Sequence, residues 1–459
     1  MLLAGLIAQA GEVALDPSFG AGGVVLPSFP SLPSIEASGE GRCVAVQADG
    51  KMVVAGHSLA GGRRILAVLR VLPDGTLDPA FGASGVALPF PAAADDQAAC
   101  VRLQQDGKIL VAGRASAAGS SDMLVARLLA DGSVDTSFAT AGRLALDFDG
   151  QDDEAFALNF DGSGRLLIAG TANDGGMLSA AVARCDADGA PDAAFGDQGR
   201  ATFKILGAVE NHGRDVVAQA GGRIVLCGHA SISNRDWFAL YGFTSAGVAD
   251  ETFGTEGYQI TAVGSGATIY SRAQSMVLLG DGKMVLAGSG TVSGSERAAL
   301  ARYSEEGLLD ETFGTGGSVT TSAGSGETSA RCVALLTDGG LLVGGTLQGA
   351  TSRFVALRYL PSGALDTAFG ASGIRLAAFT GYEADARALA VDANGLTLAG
   401  TLAGDVVSSI GLARLTLGGN LDNSFSGDGR QEINLQRGQP VSQARAVACQ
   451  PDGKVVIAG

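Results

Sequence analysis

Acidic side chains are concentrated in the stretch DFDGQDDEAF at positions 147–156. The members that could ligate a cation are Asp147, Asp149, Asp152 and Asp153, with Glu154 beside them. Carboxylate oxygens at this density are the hard ligands that Ca²⁺ prefers, so these four aspartates are a candidate Ca²⁺ site. Their spacing does not match an EF-hand loop, and a solvated acidic loop is the alternative interpretation.

Three histidines could act as metal ligands or as a general base. His57 and His229 share one repeat position, directly after Ala-Gly or Cys-Gly, where other copies have arginine, serine or threonine. His212 lies in ENHGRD, with no partner at a characteristic spacing. The chain has no GxSxG, HExxH or Walker motif. We therefore interpret His57 and His229 as variation at the start of a loop and assign no catalytic residue. A metal role would require the three histidines to converge.

Composition narrows the classes of partner. The net charge is −16, which disfavours nucleic acid and anionic membranes because phosphate binding needs a basic face. No stretch reaches about 18 consecutive apolar residues, so no membrane insertion is expected. Cys43, Cys100 and Cys332 occupy one repeat position inside apolar runs, which predicts small buried side chains rather than a disulfide framework.

One phrase, LDxxFG, recurs at a mean spacing of about 58 residues. An aspartate lies three residues before its phenylalanine and a glycine lies four residues after it, in every copy. The phenylalanines are Phe19, Phe81, Phe138, Phe195, Phe253, Phe313, Phe369 and Phe425.

Four short apolar runs, A to D, separate successive phrases. In the second copy they read GVALPF, CVRLQ, KILVAG and MLVARLL. Their length and bounding residues are typical of strands, and the DGK turns between B and C predict type I′ hairpins. Each repeat is therefore expected to be an antiparallel meander, A-B-C-D. The chain is predicted to be all-β: a β-propeller of about eight four-stranded antiparallel blades, or of seven as the alternative.

The motif DGxLDxxFGxxG, followed by DGKivvaG and alaRyl, resembles the bacterial delta-60 repeat family over residues 15–459. Imperfect copies include QAGGR at 219–223 and DGSGR at 161–165. The resemblance implies a propeller-like surface or secreted bacterial protein of undefined activity, and it supplies no catalytic residues. We therefore expect an extracytoplasmic location: secreted, periplasmic or at the cell surface.

An arginine lies eleven residues before the phenylalanine in six of the seven internal copies. These are Arg70, Arg127, Arg184, Arg302, Arg358 and Arg414, and Gly242 interrupts the pattern. Arginine and aspartate recurring together predict a charge-assisted pair. The phenylalanine is expected to fill the gap between blades. A feature present in every blade is interpreted as structural.

An antiparallel meander places the A–B and C–D loops on one face and the B–C turns and phrases on the other. We call these the loop face and the phrase face. The variable segments all fall on the loop face: 27–41, 147–156, 207–215, 229–237 and 380–386. The aromatic residues Trp237, Tyr270 and Tyr382 fall there too.

Loops on a rigid scaffold commonly carry function, so a protein or glycan ligand is expected on the loop face. The favoured function is a non-catalytic recognition or scaffold module, acting as a monomer. The alternative is a propeller enzyme of the lyase or lactonase type with a metal-assisted site at the central channel.

Residues 1–14 have two interpretations. They could be the remnant of a signal peptide, ending in Ala8-Gln9-Ala10. Alternatively, Leu3 to Ala8 align with run D and would form a ring-closing outer strand against residues 454–459. Residues 15–459 would then be a single propeller of eight repeats, with no bare edge.

Overall fold

The computed structural model describes residues 3–6, 24–25, 35–60, 63–73, 76–91, 95–116, 119–266, 269–392, 395–404, 408–425, 428–433, 443–450 and 454–459. These residues form 32 β-strands. In this part of the chain, no helix is long and apolar enough to cross a membrane.

The strands are numbered in chain order. The first ten are β1 (Leu3–Leu6), β2 (Val24–Val25), β3 (Ile35–Val46), β4 (Met52–Ala60), β5 (Arg63–Val71), β6 (Val86–Ala87), β7 (Gln97–Leu103), β8 (Ile109–Ser116), β9 (Ser121–Leu128) and β10 (Arg143–Leu146). The next twelve are β11 (Asp153–Phe160), β12 (Leu166–Asp174), β13 (Met177–Cys185), β14 (Arg200–Phe203), β15 (Ala208–Ala218), β16 (Ile224–Ile232), β17 (Arg235–Phe243), β18 (Tyr258–Thr261), β19 (Arg272–Leu278), β20 (Met284–Val292), β21 (Ser295–Tyr303) and β22 (Ser318–Thr321). The last ten are β23 (Glu327–Leu335), β24 (Leu341–Gln348), β25 (Arg353–Tyr359), β26 (Ile374–Ala377), β27 (Glu383–Val391), β28 (Gly395–Ala403), β29 (Ser408–Thr416), β30 (Arg430–Ile433), β31 (Ala446–Cys449) and β32 (Val455–Ala458).

The described strands make seven hydrogen-bonded sheets, six of four strands and one of eight. The larger sheet is two blades joined by one parallel pair, Leu178 with Glu210. Blades 1 to 7 begin at β3, β7, β11, β15, β19, β23 and β27, and blade 8 combines β31 and β32 with β1 and β2. The first strand of each blade contacts that of the next, and β31 contacts β3. The predicted all-β propeller of about eight antiparallel blades is confirmed.

The grouping of runs into blades differs from the expected A-B-C-D meander. In blade 2, run B is the inner strand β7, C is the second strand β8 and D is the third strand β9. The outermost strand β10 is run A of the following repeat. The phrase therefore lies within a blade, between its third and outermost strands, and the A–B segments link one blade to the next. Periodicity gives the repeat length, but it does not show where one sheet ends.

The two ends of the described chain meet in blade 8. Strand β1 pairs antiparallel with β32, placing Leu3 opposite Ala458 and Leu6 opposite Val455. Strand β2 pairs with β1 on the other side. Leu3–Leu6 is thus the third strand of the blade, not its outer strand, and Val24–Val25 is outermost. Positions 8–10, the proposed cleavage pattern, lie outside the described residues.

Among the described residues, DGK turns close the first hairpin of blades 1, 2 and 5. In blade 1, the Gln47 N–H donates to Lys51 O at 2.7 Å and the Gly50 N–H donates to Gln47 O at 2.9 Å. Gly50 has φ +82°, but Asp49 has no positive φ. A type I′ turn needs positive φ at both central residues, so that expectation is wrong. The loop has three residues and one left-handed glycine.

The hydrophobic core lies between neighbouring blades, and the phrase is what joins them. In blade 2, Phe138 is fully buried. A Cβ on Gly189, in the phrase segment of blade 3, would lie 2.6 Å from the Phe138 ring. The Ala139 N–H donates to Asp188 O of the same neighbouring segment at 2.7 Å. The phenylalanine therefore fills the space between two blades, as expected.

The arginine–aspartate pair fastens the same junction. Arg127 Nε donates to Asp135 Oδ2 at 2.8 Å, and the guanidinium also donates to Ala187 O of the next blade. Its carbon lies 4.7 Å from the centroid of the Phe138 ring. Arg302 and Asp310 repeat this geometry at 2.9 Å. The pairs are structural, because each links a third strand to its own phrase, and in blades 1, 2, 3, 5 and 6 the guanidinium also donates to the neighbouring blade.

Blade 4 shows how the junction tolerates the loss of its arginine. A Cβ on Gly242 would lie 2.5 Å from the Phe253 ring, so this position has no room for the usual side chain. Arg223, from the B–C turn, takes over its contacts. It donates to Asp250 Oδ2 at 2.6 Å and to Glu305 O of blade 5 at 3.0 Å.

Candidate functional site

A β-bulge recurs near the loop-face end of the inner strands. In blade 3, Ala155 pairs with Gly170 and Ala157 pairs with Ala169, which leaves Phe156 as an extra residue. A Cβ on Gly170 would lie 1.9 Å from Glu154 O, so only glycine allows the two strands to approach this closely. An extra residue re-aims its side chain, and here it does so on the strand nearest the propeller axis.

The bulge residues of seven blades form a ring around the axis. They are Arg42, Ala99, Phe156, Arg214, Gln274, Arg331 and Arg387. Arg445 takes the corresponding place in blade 8, where a Cβ on Gly459 would lie 1.6 Å from Gln443 O. We call this ring, with the residues two positions before each member, the channel mouth. Five of its eight bulge positions are arginine.

Contacts between neighbouring blades show that these side chains lie side by side. The Arg214 guanidinium lies 4.3 Å from the centroid of the Phe156 ring. Arg387 Nη2 lies 2.8 Å from Asp385 Oδ2, and Arg331 Nη2 of the preceding blade lies 4.0 Å from Asp385 Oδ1. Side chains of the ring therefore contact one another across the boundary between blades 3 and 4 and across the boundary between blades 6 and 7.

A second carboxylate lies where blades 8 and 1 meet. Arg445 Nε donates to Glu40 Oε1, and Arg42 Nη2 lies 3.3 Å from Glu40 Oε2. Burial raises the pKa of Glu40, but the charges of Arg42 and Arg445 outweigh it and hold the pKa below its ordinary value. Glu40 is therefore a carboxylate shared by two arginines.

Two of the three histidines meet at the channel mouth. His212 and His229 pair across β15 and β16, and their rings stack with centroids 4.3 Å apart. His212 Nε2 lies 3.3 Å from Glu210 Oε2. Burial lowers the pKa of His229 to about 2, and the neighbouring His212 adds to that shift, so His229 is neutral at physiological pH; burial also lowers the pKa of His212.

His57 lies in blade 1, opposite Glu40 on β3. Burial lowers the pKa of His57 to about 4, although Glu40 opposes the shift. Both His57 and His229 lie within second strands and are buried, so the interpretation of a loop start is wrong. Among the described residues, the histidines belong to no group of three potential metal ligands.

Of the four aspartates predicted as a Ca²⁺ site, the structure brings two into one cluster. Asp147 and Asp153 lie together, and their third neighbour is Asp122 rather than Asp149 or Asp152. One carboxylate oxygen from each of these three lies within 4.8 Å of the others. Asp152 accepts the Ser121 N–H at 2.8 Å, and Asp149 accepts the Gly175 N–H at 2.9 Å.

Two carboxyl groups of this acidic cluster, those of Asp153 and Asp122, have raised pKa values. Burial raises the pKa of Asp153 to about 6, against backbone N–H groups of Phe148 and Asn173 that lower it; the charges of Asp147 and Asp122 raise it further. Burial also raises the pKa of Asp122, and Asp147 adds to it. Three oxygen donors whose charges repel one another could hold a hard cation. The cluster lies at a link between blades 2 and 3, not at the axis.

The aromatic residues of the loop face do not form a single platform. Trp237 and Tyr270 come from neighbouring segments in blades 4 and 5, since Asp236 and Tyr270 form a parallel bridge. The Tyr382 hydroxyl donates to Glu432 Oε1. The six cysteines are all free.

Sequence reasoning missed the arginines of the channel mouth. Aligning the B runs places Arg42, Arg214, Arg331, Arg387 and Arg445 at one position, so a signal was present. The shared arginine position was not recognised because the other three blades have different residues there, and because a β-bulge is not visible in the alternation of apolar and polar residues. Asp122 was missed because it lies 25 positions before Asp147.

Comparisons with known proteins agree with the fold. The family described as "Domain of unknown function (DUF5122) beta-propeller" matches residues 47–81, 104–138, 162–195, 279–313 and 336–369. Each match runs from a B–C turn to the phenylalanine of the phrase. The chain is thus similar to a family of β-propeller repeats over these five segments. A search of curated proteins gives no match.

Solved structures give the same result. A puromycin hydrolase has 15% identity and a TM-score of 0.50 over 92% of this chain, which spans 58% of the hydrolase. The Dos1 propeller has 9% identity and a TM-score of 0.47, over 92% of this chain and 93% of that one. The virginiamycin B lyase from Staphylococcus aureus has 9% identity and a TM-score of 0.38, over 86% and 95%. At 15% identity, the likeness to the puromycin hydrolase shows the fold alone.

Proposed function

We propose that this protein is a non-catalytic recognition or scaffold module that binds a protein or glycan ligand on its loop face, around the channel mouth. The observation that carries the proposal is a difference in symmetry. The phrase face repeats one set of contacts from blade to blade, whereas the channel mouth combines arginine, alanine, phenylalanine and glutamine at a single structural position. A ligand site needs distinct groups at distinct places, and a blade junction does not.

Exposed apolar side chains on the same face support this proposal. Leu206, in the link between blades 3 and 4, and Val209, near the start of β15, are 96% and 63% exposed. Exposed apolar groups close to a polar rim are common at interaction sites. The resemblance to delta-60 repeats supports an extracytoplasmic location in a bacterium, and we propose that the protein acts there as a monomer.

A binding screen on purified protein tests the proposal. A glycan array and a protein interaction screen would identify a ligand. Serine replacements in segments 147–156 and 207–215 should then reduce its affinity, while Lys108→Ser and Lys283→Ser in the DGK turns should leave it unchanged. The proposal is overturned if folded DGK-turn variants lose binding and loop-face variants keep it.

The enzyme alternative has one observation in its favour, the stacked His212 and His229 beside Glu210 at the channel mouth. A neutral imidazole next to a carboxylate can act as a general base. Incubating acidic polysaccharides and lactones with the protein, with and without added Zn²⁺, would test it. Product formation that His212→Ala abolishes, in a folded variant, would establish an enzyme; no product under either condition would leave the binding module.

A further inference from the structure

Four successive blades each place one arginine at the channel mouth: Arg331, Arg387, Arg445 and Arg42 in blades 6, 7, 8 and 1. We call them the arginine arc. Only two carboxylates of the described residues pair with them, Asp385 between the first two and Glu40 between the last two. Four guanidinium groups against two carboxylates give a local charge of about +2. The whole chain carries −16, so this patch opposes the overall charge.

The arc is accessible. The four side chains are 39%, 35%, 28% and 34% exposed, in the order Arg331, Arg387, Arg445 and Arg42. The Nε atoms of Arg42 and Arg387 are nevertheless buried and have no hydrogen-bond partner among the described residues. Protein atoms therefore enclose these two side chains as far as Nε, and it is the outer atoms that solvent or a ligand can reach.

Like charges crowd together in the arc. Burial lowers the pKa of Arg387; Asp385 opposes this, and the positive charges of Arg445 and Arg331 add to it. A guanidinium group presents five N–H donors, and a shared carboxylate satisfies few of them. An anion entering between the arginines would use the remaining donors and relieve the repulsion.

The opposite side of the mouth is different. Blades 2, 3 and 5 have Ala99, Phe156 and Gln274 at the same position, and Arg214 of blade 4 is stacked on Phe156. Arg272, two positions before Gln274, is paired with Asp236 at 2.6 Å. Glu154 offsets the charge of Arg214, as Asp236 offsets that of Arg272, so the unpaired positive charge lies in the half of the ring that holds the arc.

We infer that the arginine arc is an oxyanion site, which binds a ligand carrying two or more carboxylate or sulfate groups at the loop-face end of the channel. This rests on the proposed function, since it assigns a chemical class to the ligand of the same face. Two anionic groups match the local charge of about +2, and among the described residues no carboxylate lies between Arg387 and Arg445. The ligand source is either an acidic oligosaccharide or a small polycarboxylate.

Isothermal titration calorimetry on the intact chain tests the inference. The probes are a galacturonic acid trisaccharide, citrate and inorganic sulfate, with maltotriose as the neutral control. We expect at least one anionic probe to bind, no binding of maltotriose, and weaker binding as salt is added. Tighter binding of the trisaccharide would identify a glycan source, and tighter binding of citrate a small-molecule source.

Two opposite charge changes separate a ligand contact from a structural role. Arg387→Gln should weaken binding on the order of ten-fold or more, because it removes a charge-assisted contact. Asp385→Asn should tighten binding, because it removes the competing carboxylate while keeping an oxygen that can accept from Thr346 Oγ1. Arg353→Gln removes a charge from β25, the third strand of blade 6, and should change nothing. If Arg387 and Asp385 had only a structural role, both Arg387→Gln and Asp385→Asn would weaken binding.

Two results would overturn the inference. One is that none of the anionic probes binds. The other is that folded Arg387→Gln and Asp385→Asn variants bind like the unaltered chain. The proposed function fails separately. If a glycan array finds a neutral ligand whose affinity depends on 147–156 or 207–215, the recognition module stands without the oxyanion site. If binding depends on the DGK turns, the proposed function fails.

Discussion

The phrase face and the channel mouth are built from the same eight blades, yet they differ in symmetry. At the phrase face, aspartate, phenylalanine and glycine recur because every blade has a neighbour to pack against. At the channel mouth, the bulge residue varies from blade to blade, although several of its side chains contact the neighbouring blade. Blade 4 shows the distinction most directly, because the loss of an arginine at Gly242 is compensated by Arg223. When a residue of the blade junction is lost, another side chain restores its contacts. At the channel mouth, the residue varies, and among the described residues no other side chain replaces it.

The largest expected effect lies at the phrase face. Asp135→Ala leaves Arg127, whose side chain is 1% exposed, without its buried partner. We expect a loss of about 3–5 kcal/mol in the free energy of unfolding, measured by urea denaturation. Asp188→Ala is the matched control: it removes another carboxylate from the same guanidinium, but Asp188 is 72% exposed. That variant should cost less than about 1 kcal/mol. Equal effects would contradict the assignment.

A glycine variant tests whether close strand approach builds the mouth. The Cβ in Gly170→Ala would lie 1.9 Å from Glu154 O, and forcing the strands apart should cost about 1–3 kcal/mol. Gly221→Ala is the control, since its Cβ would meet nothing within 4 Å; its change should stay within about 0.5 kcal/mol. Denaturation curves that coincide for the two variants would argue against a role for glycine in the bulge.

Arg223 compensates for the missing arginine of blade 4. Truncating the arginine at this repeat position should therefore destabilise the protein more in blade 4 than in blade 3. Arg223→Ala removes the arginine that holds Asp250, and we expect a loss of about 1–3 kcal/mol. Arg165→Ala in blade 3 should cost less than about 1 kcal/mol, because Arg184 still holds Asp192 at 2.9 Å. Thermal unfolding of the two variants in parallel would measure this. A larger effect at Arg165 would show that the compensation is misassigned.

The smallest effect concerns the acidic cluster and its pH dependence. The pKa of Asp153 is raised to about 6, above its value of about 4 in an unfolded chain, so the folded state binds more protons between these pH values. This contribution to stability is complete below pH 4 and is lost as the pH rises through 6. Ca²⁺ should offset the loss only where Asp153 is ionised. At ten times its Kd it would add about 1.4 kcal/mol.

Calorimetry and thermal unfolding with Ca²⁺ at pH 7.5 and pH 5 would measure this effect. Asp122→Asn should abolish it, and Asp149→Asn should preserve it because Asp149 lies outside the cluster. No heat and no stabilisation at pH 7.5 would show that the acidic cluster does not bind Ca²⁺.

The phrase aspartates Asp78, Asp135, Asp192, Asp250 and Asp310 have lowered pKa values and respond to pH in the opposite direction. Burial raises the pKa of Asp310, but hydrogen bonds from Thr312 and Lys283 and the charge of Arg302 outweigh it and hold the pKa well below its ordinary value. Their stabilisation is present above about pH 4 and is lost as the pH falls. Low pH should therefore destabilise the blade junctions, whereas protonation of Asp153 at low pH should stabilise the folded acidic cluster.

The sequence by itself determined the repeat, its antiparallel strands and the composition of the blade junction. These follow from local rules: alternating apolar runs, glycine turns, and an arginine, aspartate and phenylalanine at fixed offsets within one segment. Arg302 and Asp310 are eight residues apart, so their pairing was predictable from spacing.

Only the tertiary structure decided where each blade begins and which side chains meet around the axis. Run A joins the preceding blade because hydrogen bonding to a third strand, and not sequence order, defines a sheet. Asp122 joins Asp147 and Asp153 across a blade boundary. The arginine arc exists because ring closure brings Arg445 to Glu40, 405 positions away. Contacts at such separations depend on the geometry of the whole ring, which no local pattern records.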